Sequence, residues 1–326
     1  MKIRAVLLFL GVAASSFAQY RVVFLPTASG EGWALGAGGG QIVGAGFFQG
    51  GGPLLWEGPP YDKYVRLMPP GFDSAIVRGV GGGFQVGEAF KGGRQHALIW
   101  NGTASSFVDL DSANYAGTAA YATDGKSQVG AAGTDPNGSV GHAILWHGSA
   151  ESLVDLNPSG YESSHAYGVW GNVQVGQLEG SYPCLWRGTP ESMRLLTLPD
   201  PRSGGAARGI HGNQIAGGSI FGAMVWDANT LKPTFLGSGF ALATNGVYQV
   251  GISRIYPLAS GPFGNGRATR WSGRPGTRLD LQQFVPLGYV EQSVAYGIDE
   301  NGVIVGYVDS GPDVFPVAWV PVGGGR

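Results

Sequence analysis

The sequence predicts an all-β fold: a seven-bladed β-propeller of four-stranded antiparallel blades, closed by an N-terminal strand that completes the last blade. Three observations carry this. A tryptophan recurs at 56, 100, 146, 186, 226, 271 and 319, at spacings of 44, 46, 40, 40, 45 and 48 residues. Each sits in the same succession of short apolar runs bounded by Gly, Asn, Asp or Pro, which is strand chemistry. The seventh unit stops one strand short, and a spare strand lies at the other end of the chain. Four strands per unit of about 40–50 residues is the pattern of a propeller. An open β-solenoid is the competing architecture, but its repeats are typically shorter and need no closure.

The first strand of each unit is an "A-x-G" run, as in "SHAYGV" (164–169), "AARGI" (206–210) and "SVAYGI" (293–298). Its small residues fit a position crowded against an axis on which all units converge. The second strand carries "QIVG" at 41, "QVG" at 85, 128, 174 and 249, "QIAG" at 214 and "VIVG" at 303. Connectors such as "WGN" and "DENG" join the two as tight hairpins. The third strand, "HALIW" (96–100) or "HAILW" (142–146), ends in the Trp, which is expected to pack between neighbouring sheets. The fourth is "FVDL" ending at Leu110, "LVDL" at Leu156, "LLTL" at Leu198 and "RLDL" at Leu281. The units fall near 32–68, 74–110, 117–156, 163–198, 205–236, 239–281 and 292–322, in a single domain over 19–326. The missing fourth strand of the last unit is supplied by "YRVVFLP" (20–26), which removes an exposed edge.

Composition narrows the function. Glycine supplies 59 of 326 residues, yet 43% of the chain is hydrophobic and 11% aromatic, so the glycines mark turns in a packed fold rather than disorder. A net charge of −2 with no basic stripe excludes a nucleic-acid surface. No later segment is apolar for long enough to span a membrane. Cys184 is the single cysteine, so no internal disulfide forms. Lys2 and Arg4 precede "AVLLFLGVAA", and Ser16-Phe17-Ala18 has the small residues of a cleavage site. Residues 1–18 therefore read as a signal peptide, with a mature chain from Gln19 that is secreted, extracellular or periplasmic.

"HALIWNG…FVDL" and "HAILWHG…LVDL…SSHAYGV…QVG" resemble the HAF repeats of bacterial extracellular repeat proteins. In those repeats a His-Ala-Phe-Leu-Trp strand alternates with Asp-Leu-Gly and Val-Val-Gly elements. The resemblance spans essentially the whole mature chain and is strongest over 81–180. Units four to seven depart from it, with "YPCLW", "GAMVW", "RATRW" and "PVAW" in place of the histidine strand. The resemblance implies a secreted or surface propeller-like protein and brings no activity with it.

His96 and His142 occupy one repeat position, whose equivalents are Tyr182, Gly222, Arg267 and Phe315. A site would not vary so, and both histidines are expected to be structural, bonded to a neighbouring blade's backbone. Asp109, Asp155 and Asp280 each follow their Trp by nine residues and are repeat positions too. "TDPNGS" (134–139) and "DENG" (299–302) read as turns. No metal motif and no G-x-S-x-G elbow occurs, so no catalytic residue, metal ligand or cofactor is assigned.

The first-strand position between Ala and Gly reads Leu35, Arg78, Tyr121, Tyr167, Arg208, Leu242 and Tyr296. Packing between blades is the favoured reading. Around a central mouth, Arg78, Tyr121, Tyr167, Arg208 and Tyr296 are the candidate binding residues. Long connections such as 253–268 and 282–293 are expected on one face, where binding usually lives. The expected function is a monomeric binding or scaffold module for a surface polysaccharide or protein, using that face. A polysaccharide lyase or glycoside hydrolase on the same face is the alternative.

Overall fold

The computed structural model describes residues 19–48, 51–134, 140–254, 266–286, 288 and 291–323. The expected signal peptide, most of the 134–139 turn and of the 253–268 loop, part of the 282–293 connection, and the last three residues lie outside them.

Seven four-stranded antiparallel sheets are arranged as predicted. Blades 1 to 6 cover 32–66, 74–109, 117–155, 164–195, 205–237 and 240–280, each a meander from first to fourth strand. Blade 7 takes three strands from 292–322 and its fourth from Gln19–Phe24. That strand runs antiparallel to the last, from Gln19 opposite Val322 to Phe24 opposite Val317. The only helical segments among the described residues are four short 3-10 turns, and no helix is long and apolar enough to cross a membrane.

The seven tryptophans are buried in seams shared by neighbouring blades. Trp146 of blade 3 packs with Val86 and Ile99 of blade 2, and Trp100 of blade 2 with Val43 and Leu55 of blade 1. Emptying one such site costs about 3–5 kcal/mol, so each Trp is a large share of what joins two sheets. Hydroxyls reinforce the seams. The third-strand amides of Ala97, Ala143 and Ala268 donate to Thr118, Ser164 and Ser293 on the next blade's first strand, each at 2.9 Å.

The recurring second-strand glutamine has a local cause. The Oε1 atoms of Gln85, Gln128, Gln174 and Gln249 accept from the amides of Gly102, Gly148, Gly188 and Gly273 at 2.6–2.8 Å. A buried side chain thereby satisfies the turn that follows each Trp. The glycine two or three residues later is demanded by space. A Cβ on Gly130 would stand 1.9 Å from the Ala119 carbonyl oxygen, and Gly44, Gly87, Gly176, Gly217, Gly251 and Gly306 meet the first strand equally closely.

One expectation about loops is only partly met. In blades 2, 4 and 5 the second and third strands are joined by short turns, Lys91 to Arg94, Leu178 to Tyr182 and Ser219 to Gly222. Long connections are thus not a property of every blade on that face.

Candidate binding site in the central channel

Every first strand carries a β-bulge at one place. The pairing with the second strand slips between Ala34 and Gly36, Val77 and Gly79, Ala120 and Ala122, and Ala166 and Gly168. It slips likewise between Ala207 and Gly209, Ala241 and Ala243, and Ala295 and Gly297. The unpaired residues are Leu35, Arg78, Tyr121, Tyr167, Arg208, Leu242 and Tyr296. A bulge leaves one residue outside the ladder and re-aims its side chain. Here all seven line one axial cavity of about 540 Å³.

Around the axis the ring has two arcs. Arg78, Tyr121, Tyr167 and Arg208 stand on consecutive blades 2 to 5; Leu242, Tyr296 and Leu35 follow on blades 6, 7 and 1. In the first arc Tyr121 and Tyr167 stack at 5.8 Å between ring centroids. Arg208 lies over the face of Tyr167 at 4.0 Å, and Arg78 lies 5.8 Å from Tyr121. Burial, and next the nearby Glu88 carboxylate, push the Tyr121 phenol up to about 12. Burial raises Tyr167 and Tyr296 as well. All three phenols therefore stay neutral at physiological pH and can donate a hydrogen bond.

The two arginines differ in charge balance. Arg78 grips the buried Glu88 carboxylate from its own blade's second strand, Nε at 2.9 and 2.7 Å from the two oxygens, with Nη2 close to Oε1. Arg208 has no such partner. No carboxylate among the described residues pairs with it, and its buried Nε has no acceptor. Burial, and next the Arg208 charge, hold the nearby His165 below its ordinary value, so that imidazole is neutral at pH 7.

The cavity is lined from the bulges to the first hairpin turns, with Asp124, Trp170, His211, Asn245 and Glu300 at that end. This is the face of the short turns, opposite the long connections expected to bind. Trp170 and His211 meet there at 3.9 Å between centroids. Asp124 and Glu300 are held by backbone amides of the next blade, Gly171 at 2.9 Å and Gly39 at 3.2 Å. A second cavity between blades 5 and 6 shares His211 and Asn245 with the first.

The histidines are bonded differently from expectation. His96 Nδ1 lies 2.9 Å from Asp109 Oδ2, and His142 Nδ1 lies 2.7 Å from Asp155 Oδ2. Each pairs with the fourth strand of its own blade rather than with a neighbouring blade's backbone. The backbone oxygens and amides near the strand end are already in ladder bonds, whereas the fourth-strand side chain faces the ring. Blade 6 repeats the pair as Arg267 and Asp280 at 3.0 Å. Among the described residues no group of three or more His, Cys, Asp or Glu is arranged to hold a metal ion.

Fold and channel together define a β-propeller whose ring is closed by pairing its first strand with its last, with an axial pocket built from bulged residues. No protein-family model matches the sequence, and no curated protein matches it. Among solved structures the chain is similar to the oligogalacturonate lyase of Vibrio parahaemolyticus, at a TM-score of 0.55 and 10% identity over 94% of this chain and 99% of that one. It is similar also to YCF48 bound to D1 peptide, at 0.53 and 12% over 94% and 96%. The computationally designed Ika8 protein gives 0.51 and 16% over 86% and 80%. At these identities the likeness is one of fold.

Proposed function

We propose that this chain is an exported binding module whose ligand, or a protruding group of a larger surface polymer or protein, enters the central channel. The observation that carries this reading is the coincidence of seven bulges with one cavity. A bulge disrupts the ladder in every blade, and the residues it frees converge on one axial cavity. Five of the seven are aromatic with a hydroxyl or cationic, the side chains that orient ligands in largely preformed pockets. The cavity volume is in the range of small-ligand sites, roughly 300–1,000 Å³. The pattern of the first eighteen residues supports export.

The test is a glycan and peptide array probed with the mature protein and with Tyr167→Ala, following both retention and product release on every hit. Retention that Tyr167→Ala abolishes supports the channel. Retention that survives it, and falls when the connections of the opposite face are changed, moves the site to the other face. Product release at a hit would favour the lyase or hydrolase reading; a solved oligogalacturonate lyase shares the fold.

A further inference from the structure

We propose that Arg208 is a carboxylate-binding residue, and that the ligand of the channel is a small carboxylate anion. This rests on the channel reading above. The template for the interaction is in the same ring. Arg78 and Arg208 hold the same bulge position on blades 2 and 5, and each guanidinium lies beside the tyrosine of the blade before or after it. In blade 2 the residue after the second-strand glycine is Glu88, whose carboxylate takes the Nε and Nη2 edge of Arg78. In blade 5 the corresponding residue is Gly218, and no side chain fits there. A Cβ on Gly218 would meet the Gly222 carbonyl oxygen at 2.7 Å and the Phe240 ring at 3.0 Å.

Arg208 is therefore Arg78 without its carboxylate. Its Nε–H is buried with no acceptor, which costs free energy until an acceptor arrives. Its guanidinium rests over the Tyr167 face at 4.0 Å, which restrains the side chain before a ligand arrives. A planar fork of N–H donors matches the two oxygens of one carboxylate. Among the described residues no carboxylate forms an ion pair with Arg208, because Glu88 is committed to Arg78 and the adjacent His165 is neutral. Asp124 and Glu300 lie at the turns, each held by a backbone amide.

The experiment is a titration of the mature protein, labelled with nitrogen-15 in arginine, with acetate and with the neutral isostere acetamide. The buried Nε–H of Arg208 is read directly, assigned by its through-space contacts to the Tyr167 ring and checked with Arg208→Gln. The expected result is a saturating shift of that resonance with acetate below about 100 mM, the range of millimolar affinity, and none with acetamide. A second arm follows thermal stability: acetate raises Tm over acetamide in the wild type and not in Arg208→Gln. An Arg208 resonance unmoved by acetate to about 100 mM, or moved equally by acetamide, overturns the inference whether or not the variant folds. If Arg208 is silent while an array ligand is still lost on Tyr167→Ala, the carboxylate inference fails and the channel reading stands.

Discussion

His142 Nδ1 and Asp155 Oδ2 stand 2.7 Å apart across the third and fourth strands of blade 3, and the same two positions meet again in blades 2, 6 and 7. Blade 2 has His96 with Asp109, and blade 6 has Arg267 with Asp280. Blade 4 has Tyr182 with Leu195, both partly exposed. In blade 7 Phe315 meets Phe24 edge to face at 6.0 Å. In blade 5 the third-strand residue is glycine and its partner fills the place: a Cβ on Gly222 would stand 2.7 Å from the Phe235 ring. The pair docks the outer strand by a polar contact in blades 2, 3 and 6 and by an aromatic contact in blade 7.

Because the His142–Asp155 pair is partly exposed, a double-mutant cycle on it should give a coupling of about 0.5–1 kcal/mol. Asp155 Oδ2 also accepts from the Tyr115 hydroxyl at 3.0 Å, so the fair exchange keeps the carboxylate. His142→Arg, the blade 6 combination, should melt close to the wild type, whereas His142→Ala should melt lower. Equal losses in the two variants, measured by chemical denaturation, would show that the third-strand position does not depend on its fourth-strand partner.

Gly130→Ala should be severe. The added methyl meets backbone, not a movable side chain, at 1.9 Å, so a loss of roughly 3 kcal/mol or more is expected. The control is Gly83→Asn. Gly83 has left-handed backbone, φ +84°, but nothing lies within reach of a Cβ, and asparagine tolerates that region. Near-equal melting of the two variants would show that the second-strand glycines are not set by the bulge.

Asp299 is a buried carboxyl whose pKa is raised, first by burial, against the lowering effect of the Val303 amide. The sign follows from linkage. A folded-state carboxyl pKa above the unfolded one means the native state holds its proton more tightly. The cost of ionising it is absent below the ordinary value of 3.8 and complete above the raised folded value. Asp299→Asn retains an oxygen for the Asn301 and Val303 amides. It should therefore raise Tm at pH 7 by about 1–3 °C, with the gain shrinking as pH falls toward 3.8. A gain of the same size at pH 3 and pH 7 would show that charge is not its cause.

Closure allows a rearranged chain. Gln19 pairs with Val322, so a two-residue turn could join the last strand directly to the first. A permuted protein starting at Thr27 and ending in residues 19–26 behind such a turn should fold with the wild-type transition. Deleting 19–26 outright should leave Val317, Ala318 and Trp319, all buried, at an open edge and cause aggregation. Solubility and a cooperative melt of the deletion variant would contradict closure by this strand.

The blade count, strand order and closing strand were legible in the sequence because each is written as a repeat or as its missing member. The bulge was not. Its residues stand out in sequence as the variable letter between Ala or Val and Gly or Ala, but a bulge is a slip between two strands and belongs to neither alone. Its indirect signature was the second-strand glycine, which the close approach of Ala119 to Gly130 now explains. The histidine pairs were hidden in the same way. His96 to Asp109, His142 to Asp155 and Arg267 to Asp280 are each thirteen apart, a constant separation that marks one cross-strand contact. Glu88 left a fainter signal, as the lone carboxylate at its repeat position.

The bulge also bears on how such a lumen can diversify. A residue that pairs with no neighbour in its sheet can change without disturbing the seam that holds its blade. Seven such positions, one per copied unit, act as dials around one axis, and each can be reset by a single codon. Where a dial touches a neighbour, as Arg78 does Glu88, Tyr296 does Tyr307 at 5.9 Å, and Tyr167 does both Tyr121 and Arg208, the changes must travel together. Selectivity can thus drift one clock position at a time while the architecture stands still.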